Sequence, residues 1–327
     1  MRGGGTGRGR KWHEVWQRHY PLPVLRERTG PSGRGVHLLS TALTATRPRL
    51  YSPCAQYGSS LSPTSEGQRM YHPTLSSPVT RRIWGSPDAI LLFFAGGAAE
   101  FAAIKAVDWL FFTGRLPGAP VERFFETVRF AQSVFFGGPA GATDAVERMN
   151  RIHQRVEEAR GEEIPQWAYR DMMFILIDYG ERAHEVVFGA MTEAERAYHF
   201  GVALTLGRAM SLSDLPATYD DYRGQRHRQL LEDYAHGPLM DELYASYRRA
   251  LGPLRFRLLR LVQASVLPDE LRDVLRLEPH PLVEELLRCY RFVPGGGNKL
   301  RPLHGVLLPG RFVRQLRKME RAPGARL

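Results

Sequence analysis

The chain has 327 residues, is 43% hydrophobic and carries a formal charge of +11, so it can bury one substantial core. Its two cysteines, Cys54 and Cys289, are too few for a disulfide framework or a Cys-rich metal site; they fit a reducing, cytoplasmic setting, and no C-x-x-C-H is present for covalent haem attachment. Residues 1–80 hold 11 Lys/Arg and 3 Asp/Glu, a net of +8, while the remainder holds 34 and 31, a net of +3, so the basic balance belongs mainly to the N-terminal segment.

Residues 1–78 are rich in Gly, Ser, Pro, Thr and Arg without a sustained hydrophobic period, and read as a disordered basic segment. A transit peptide or a start placed too far upstream would have the same composition. Solvated disorder accounts for this charge, and no specific nucleic-acid partner is expected.

Order is expected from about residue 79. The apolar stretch Ala89–Phe112 is interrupted by Glu100, Lys105 and Asp108, which makes it a buried helix rather than a transmembrane span. Gly96-Gly97 within it predicts close helix packing. Its aromatics Phe93, Phe94, Trp109, Phe111 and Phe112, with Phe135 and Phe136 further on, read as core. Helical periodicity, punctuated by turn signals such as Gly114-Arg115-Leu116-Pro117-Gly118 and Gly137-Gly138-Pro139, then predicts helices near 87–112, 120–136, 142–160, 165–188, 192–209, 218–235, 238–264, 268–276 and 281–290. No run alternates like a strand. The predicted fold is therefore all-α: a single multi-helix globular domain over residues 79–292. A basic C-terminal tail follows over 293–327, with a short helix near 310–320.

Two helix faces carry candidate chemistry. On 142–160, Val146, Met149, His153 and Val156 recur at +3, +4 and +3, so His153 is the single imidazole on an apolar stripe. A neutral imidazole there suits an axial haem ligand; a core histidine bonded to a backbone carbonyl is the plainer reading of the spacing alone. On 120–136, Arg123 and Thr127 share a face with Phe130 and Val134, where they could bind a propionate or polarise dioxygen; an arginine whose stem covers apolar surface is the plainer reading.

On 165–188, Asp178 and Arg182 form an ordinary i,i+4 pair. Glu181-Arg182-Ala183-His184 matches one Glu-x-x-His element of a di-iron bundle, but no second element follows; Glu195/His199 and Glu232/His236 have i,i+4 spacing. Nucleophile-elbow, P-loop, zincin and dinucleotide-binding motifs are absent.

The ordered set Val107-Asp108-Trp109-Leu110-Phe111-Phe112-Thr113-Gly114-Arg115-Leu116-Pro117, Arg123-Phe124-Phe125-Glu126-Thr127, Met149-Asn150-Arg151-Ile152-His153-Gln154-Arg155-Val156, Leu176-Ile177-Asp178 and Asp214-Leu215-Pro216-Ala217-Thr218 resembles the MpaB / rubber-oxygenase catalytic-domain family over roughly residues 83–265. That family includes the latex clearing proteins and a fungal oxygenase of mycophenolic acid biosynthesis. The resemblance implies a helical fold enclosing a haem-sized pocket, non-covalent haem b, dioxygen as co-substrate and an apolar, unsaturated small-molecule substrate. It implies His153 as the proximal iron ligand, with Arg123 and Thr127 on the distal side.

Three departures from the family pattern stand out. Glu126 occupies the place of a lysine that can close the other axial position in latex clearing proteins. Met173-Phe174-Ile175 replaces a His-Ala-Thr triplet, and Ala98-Ala99-Glu100-Phe101-Ala102 replaces a Gln/His-rich stretch. The alternative from another class is a non-catalytic helical binding or scaffold protein that keeps the fold without haem.

Overall fold

The computed structural model describes residues 76–112, 114–321 and 325. The expected disordered segment 1–78 therefore lies almost wholly outside the described residues. Fifteen α-helices and one 3₁₀ turn make up the described chain, and among these residues there is no strand.

The first helices are set by serine–proline starts. Ser77 and Ser86 cap α1 (Pro78–Trp84) and α2 (Pro87–Ala103); each side chain accepts a backbone N–H of the first turn, and proline occupies the helix start. The expected helix 87–112 is broken. At Ile104 the backbone turns to pair with the far end of the domain: Lys105 N–H donates to the Asp233 carbonyl at 2.9 Å and Ala235 N–H to that of Ala103 at 3.0 Å. A short α3 (Val107–Phe112) follows, then the turn α4 (Arg115–Gly118).

Helices α5 (Pro120–Phe136) and α6 (Gly138–Arg160) form an antiparallel hairpin joined at Gly137, with Gly138 at φ +69°. Next come α7 (Gln166–Phe188), α8 (Glu193–Ala209) and α9 (Tyr219–Glu232), the last two opened by capping boxes, Thr192 with Glu195 and Thr218 with Asp221. The expected helix 238–264 divides at Gly252, φ +82°, into α10 (Pro238–Leu251) and α11 (Pro253–Val266). Proline directly after a left-handed glycine stops one helix and starts another.

The remaining helices are α12 (Asp269–Leu275), α13 (Pro281–Tyr290), α14 (His304–Leu307) and α15 (Gly310–Glu320).

Helix α2 is the hub. Small and aromatic residues leave it buried on nearly every side, and it packs most extensively on α7. Gly96 makes that approach possible, since a Cβ there would lie 1.9 Å from Tyr179 Cε1; Gly97 would meet only the Phe93 ring at 3.5 Å. Phe93, Phe94, Trp109 and Phe135 are core as expected, but Phe112, at the end of α3, is 43% exposed.

The C-terminal segment carries its expected short helix as α15. That helix buries Phe312, Val313, Leu316 and Met319 against α2 and α5, with Phe312 stacked on Phe125 at 5.9 Å.

Candidate functional site

The α5–α6 hairpin packs along itself, and α6 meets the start of α7 through the His153–Tyr169 ring contact and the Tyr169–Glu157 hydrogen bond. The stripe predicted on α6 changes character along its length. Ala142, Ala145 and Val146 are buried, whereas Met149, His153 and Val156 are half-buried. Facing residues share this intermediate exposure: Arg123, Thr127 and Phe130 on α5, Tyr169, Met172 and Leu176 on α7. Two groups of side chains join these helices to α7. The His153 ring meets the Tyr169 ring edge-on at 5.0 Å, and Thr127 and Phe130 share a small cavity with Met173, Leu176, Val202 and Leu206.

His153 makes no hydrogen bond among the described residues. Burial, then the Arg123 cation, pushes its pKa down to about 4, so the imidazole is neutral at physiological pH and keeps a lone pair available. The other side of Tyr169 is tied back, its hydroxyl donating to Glu157 Oε1 at 3.4 Å, an oxygen that also accepts Ile164 N–H at 2.9 Å. Burial and then that carboxylate hold the Tyr169 phenol well above its usual range.

Arg123 and Thr127 lie on one flank of α5, as predicted. Arg123 Nη1 donates to Glu126 Oε2 at 2.7 Å, and the Thr127 hydroxyl donates to the Arg123 carbonyl at 3.2 Å. The residue standing in the lysine place of the family pattern thus pairs with the neighbouring cation.

The cavity that Thr127 lines measures about 40 Å³, enough for a diatomic molecule or a small group and much smaller than a porphyrin. Its wall includes His199, which the sequence offered only as a mis-spaced di-iron element. His199 Nε2 donates to the Ile177 carbonyl at 3.2 Å, which leaves Nδ1 with the lone pair, and burial pushes the ring down to about 4. Gly180 makes room for it: a Cβ there would lie 2.7 Å from His199 Nε2. A glycine in the interior of this long helix was the available signal.

The Glu-x-x-His residues do not converge. Glu181 accepts the Tyr219 hydroxyl at 2.7 Å and His184 Nδ1 bonds the Gly189 carbonyl at 3.1 Å. Among the described residues no three His, Cys, Asp or Glu side chains are grouped to hold a metal ion.

The far side of α7 holds a polar centre that the sequence did not reveal. Arg226 is clasped by both oxygens of Glu100, by Asp178 Oδ2 at 2.8 Å and by Gln229 Oε1 at 2.7 Å. Tyr234 donates to Glu100, and Asp178 Oδ1 accepts Arg182 Nε at 2.8 Å. The predicted Asp178–Arg182 pair is therefore the outer edge of a buried network. Nearby Asp171 is fully buried with no hydrogen bond to either oxygen, and burial, then the Asp233 charge, raises its pKa to about 7.

An all-α domain with a half-buried, desolvated imidazole set against a tyrosine ring is the class that fold and site define. A family model described as ER-bound oxygenase mpaB/B'/Rubber oxygenase, catalytic domain, matches residues 81–294, and the chain belongs to that oxygenase family. No curated protein and no solved structure matches the chain. Among the described residues no helix is long and apolar enough to cross a membrane.

Proposed function

We propose that this protein is a haem b-dependent oxygenase acting on an apolar, unsaturated small molecule, with His153 as the proximal iron ligand. The observation that carries the reading is the setting of His153: half-buried on α6, against the Tyr169 ring and without a hydrogen bond among the described residues, a burial that lowers its pKa to about 4. The donor chemistry fits haem. A single neutral imidazole as donor is compatible with an iron whose remaining ligands would come largely from a porphyrin.

When bound, the group supplies the redox-active iron at which dioxygen is activated. The chain's own residues do the rest. His153 would hold the iron through its ring lone pair, and the edge contact with Tyr169 restrains the ring's orientation. Burial, helped by the Arg123 cation, keeps that ring unprotonated, and Arg123 would be available to a propionate carboxylate in exchange for Glu126. Thr127 holds a hydroxyl at the wall of the apolar cavity, where it can orient a small polar ligand. Phe130, Met173, Leu176, Val202 and Leu206 exclude water and present a surface suited to a hydrocarbon substrate. The ≈ 40 Å³ cavity beside Thr127 is far smaller than a porphyrin, so that cavity by itself would hold only a small ligand or part of a substrate.

The test is the visible absorption spectrum of wild type and His153→Ala, each purified with adequate haem supply. A Soret band in wild type that is lost or shifted in the variant supports the reading. A colourless wild type that does not take up added haem overturns it and leaves a helical binding protein without the cofactor.

A further inference from the structure

Charge is unevenly divided within the folded part of the chain. Residues 81–247 carry 17 Lys/Arg against 24 Asp/Glu, whereas residues 248–327 carry 17 against 7, a swing from −7 to +10. From Leu243 to Pro268 there is no acidic residue, but Arg248, Arg249, Arg255, Arg257 and Arg260 all fall there.

The junction of α10 and α11 is an open cleft of about 710 Å³ lined by Tyr244, Arg248, Arg249, Gly252, Pro253 and Phe256. An adjoining cleft of about 250 Å³ shares Arg249 and adds Arg311 from α15, with Glu122 as its acidic residue, 3.5 Å from Arg311. α15 extends the charge: its inward residues are apolar, and Arg311, Arg314, Arg317 and Lys318 are exposed.

Large apolar side chains stand beside these cations. Leu254 is 67% exposed, Leu303 49% and Val306 53%. Arg255 ties them into one surface, its Nε donating to the Val306 carbonyl at 3.0 Å and its Nη2 to that of Gly305 at 3.2 Å. Cations alone would suit any polyanion. Exposed leucine and valine among them gain nothing from a phosphate polymer, and a like-charged second copy would be repelled.

We propose that this face docks on a bilayer surface containing anionic lipid. Arg248, Arg249 and Arg311 pair with headgroup phosphates, while Leu254, Leu303 and Val306 enter the boundary between headgroups and acyl chains. The proposal does not depend on the haem reading.

Flotation of the full chain with phosphatidylcholine vesicles, with and without phosphatidylserine, tests it. Wild type is expected to float with the anionic vesicles and to be released as salt rises. The triple variant Arg248→Gln/Arg249→Gln/Arg311→Gln should weaken binding by roughly a hundredfold. Leu254→Ser/Val306→Ser should weaken it roughly tenfold and leave only a salt-sensitive remainder. Leu282→Ser/Leu286→Ser on α13, where the exposed leucines flank Glu284 and Glu285, should leave it unchanged.

Vesicle binding that ignores the Arg→Gln changes would assign it to the +8 segment 1–80 and overturn the proposal. So would equal binding to neutral vesicles, DNA retention without vesicle binding, or a dimer that dissociates on Leu254→Ser/Val306→Ser.

Discussion

On one side of α7, Asp171, Asp178 and Arg182 recur at +7 and +4 and face the Glu100–Arg226 centre; on the other, Tyr169, Met173, Leu176 and Gly180 face His153 and the cavity. The first side pairs its charges at Asp178, Arg182 and Arg226 and leaves only Asp171 without a hydrogen bond. Arg226 and Glu100 are both buried, and each guanidinium edge has a carboxylate. The second side handles charge by excluding it, so that His153 and His199 are both held neutral. A fully satisfied ion network has no valence left for a ligand; it fixes where α2, α7 and α9 meet. An imidazole without a partner does nothing for the fold that a phenyl ring would not do, and that makes it the place to look for chemistry.

The comparison would break most visibly at Arg226. Arg226→Leu strands the Glu100 carboxylate in the core, and a loss of about 3–5 kcal/mol is expected in chemical denaturation. A loss under about 1 kcal/mol would mean the polar centre is dispensable.

Next comes Gly96→Ala, whose new methyl meets the Tyr179 ring and forces α2 from α7, at about 1–3 kcal/mol in the same assay.

Asp171 sharpens the electrostatic half. Its folded pKa, raised to about 7, exceeds the unfolded value, so the folded state binds the extra proton. Stability from this group is therefore greatest below about pH 4 and is lost as pH rises through about 7. Asp171→Asn should flatten that part of a thermal-stability profile and stabilise the protein by on the order of 1 kcal/mol at pH 8. An unchanged profile would show that the carboxyl is not buried alone.

The smallest effect on stability is expected at His153. His153→Ala should change it by less than about 1 kcal/mol above pH 7 while removing haem affinity. The sign is opposite to that of Asp171: with the folded pKa lowered to about 4, the wild-type ring's contribution is present above its unfolded value and lost as pH falls through about 4. A large loss of fold at neutral pH would move His153 to the structural side of the comparison.

Local signals made most of the helices legible. Residues 120–136 were bounded in the sequence by Pro120 and Gly137, and those are the limits of α5. The two misjudged helices failed for different reasons. Gly252 is a left-handed stop inside a convincing period, and Ile104 leaves its helix to reach Tyr234 far along the chain, which no local pattern encodes. Distance in sequence also hid the polar centre: Glu100 read as an interruption of an apolar run because Arg226 and Tyr234 are remote. His153, Arg123 and Thr127 were visible as stripes, since spacing reports which face a residue occupies. His199 was missed because its place depends on space cleared by Gly180 on another helix.

Asp88 carries a consequence for where this protein can be cut. Its carboxylate receives the Lys299 N–H at 2.6 Å, the Leu300 N–H at 3.2 Å and the Tyr290 hydroxyl at 2.9 Å, while Ser86 donates to the Gly297 carbonyl at 2.8 Å. The family match stops at residue 294, in the middle of this lashing. A chain trimmed to the matched residues would lose the strap and the Phe312 and Leu316 plug with it, baring the flank of the hub helix. The boundary of the homologous region and the boundary of the folding unit are different lines on this chain, and a truncation should follow the second.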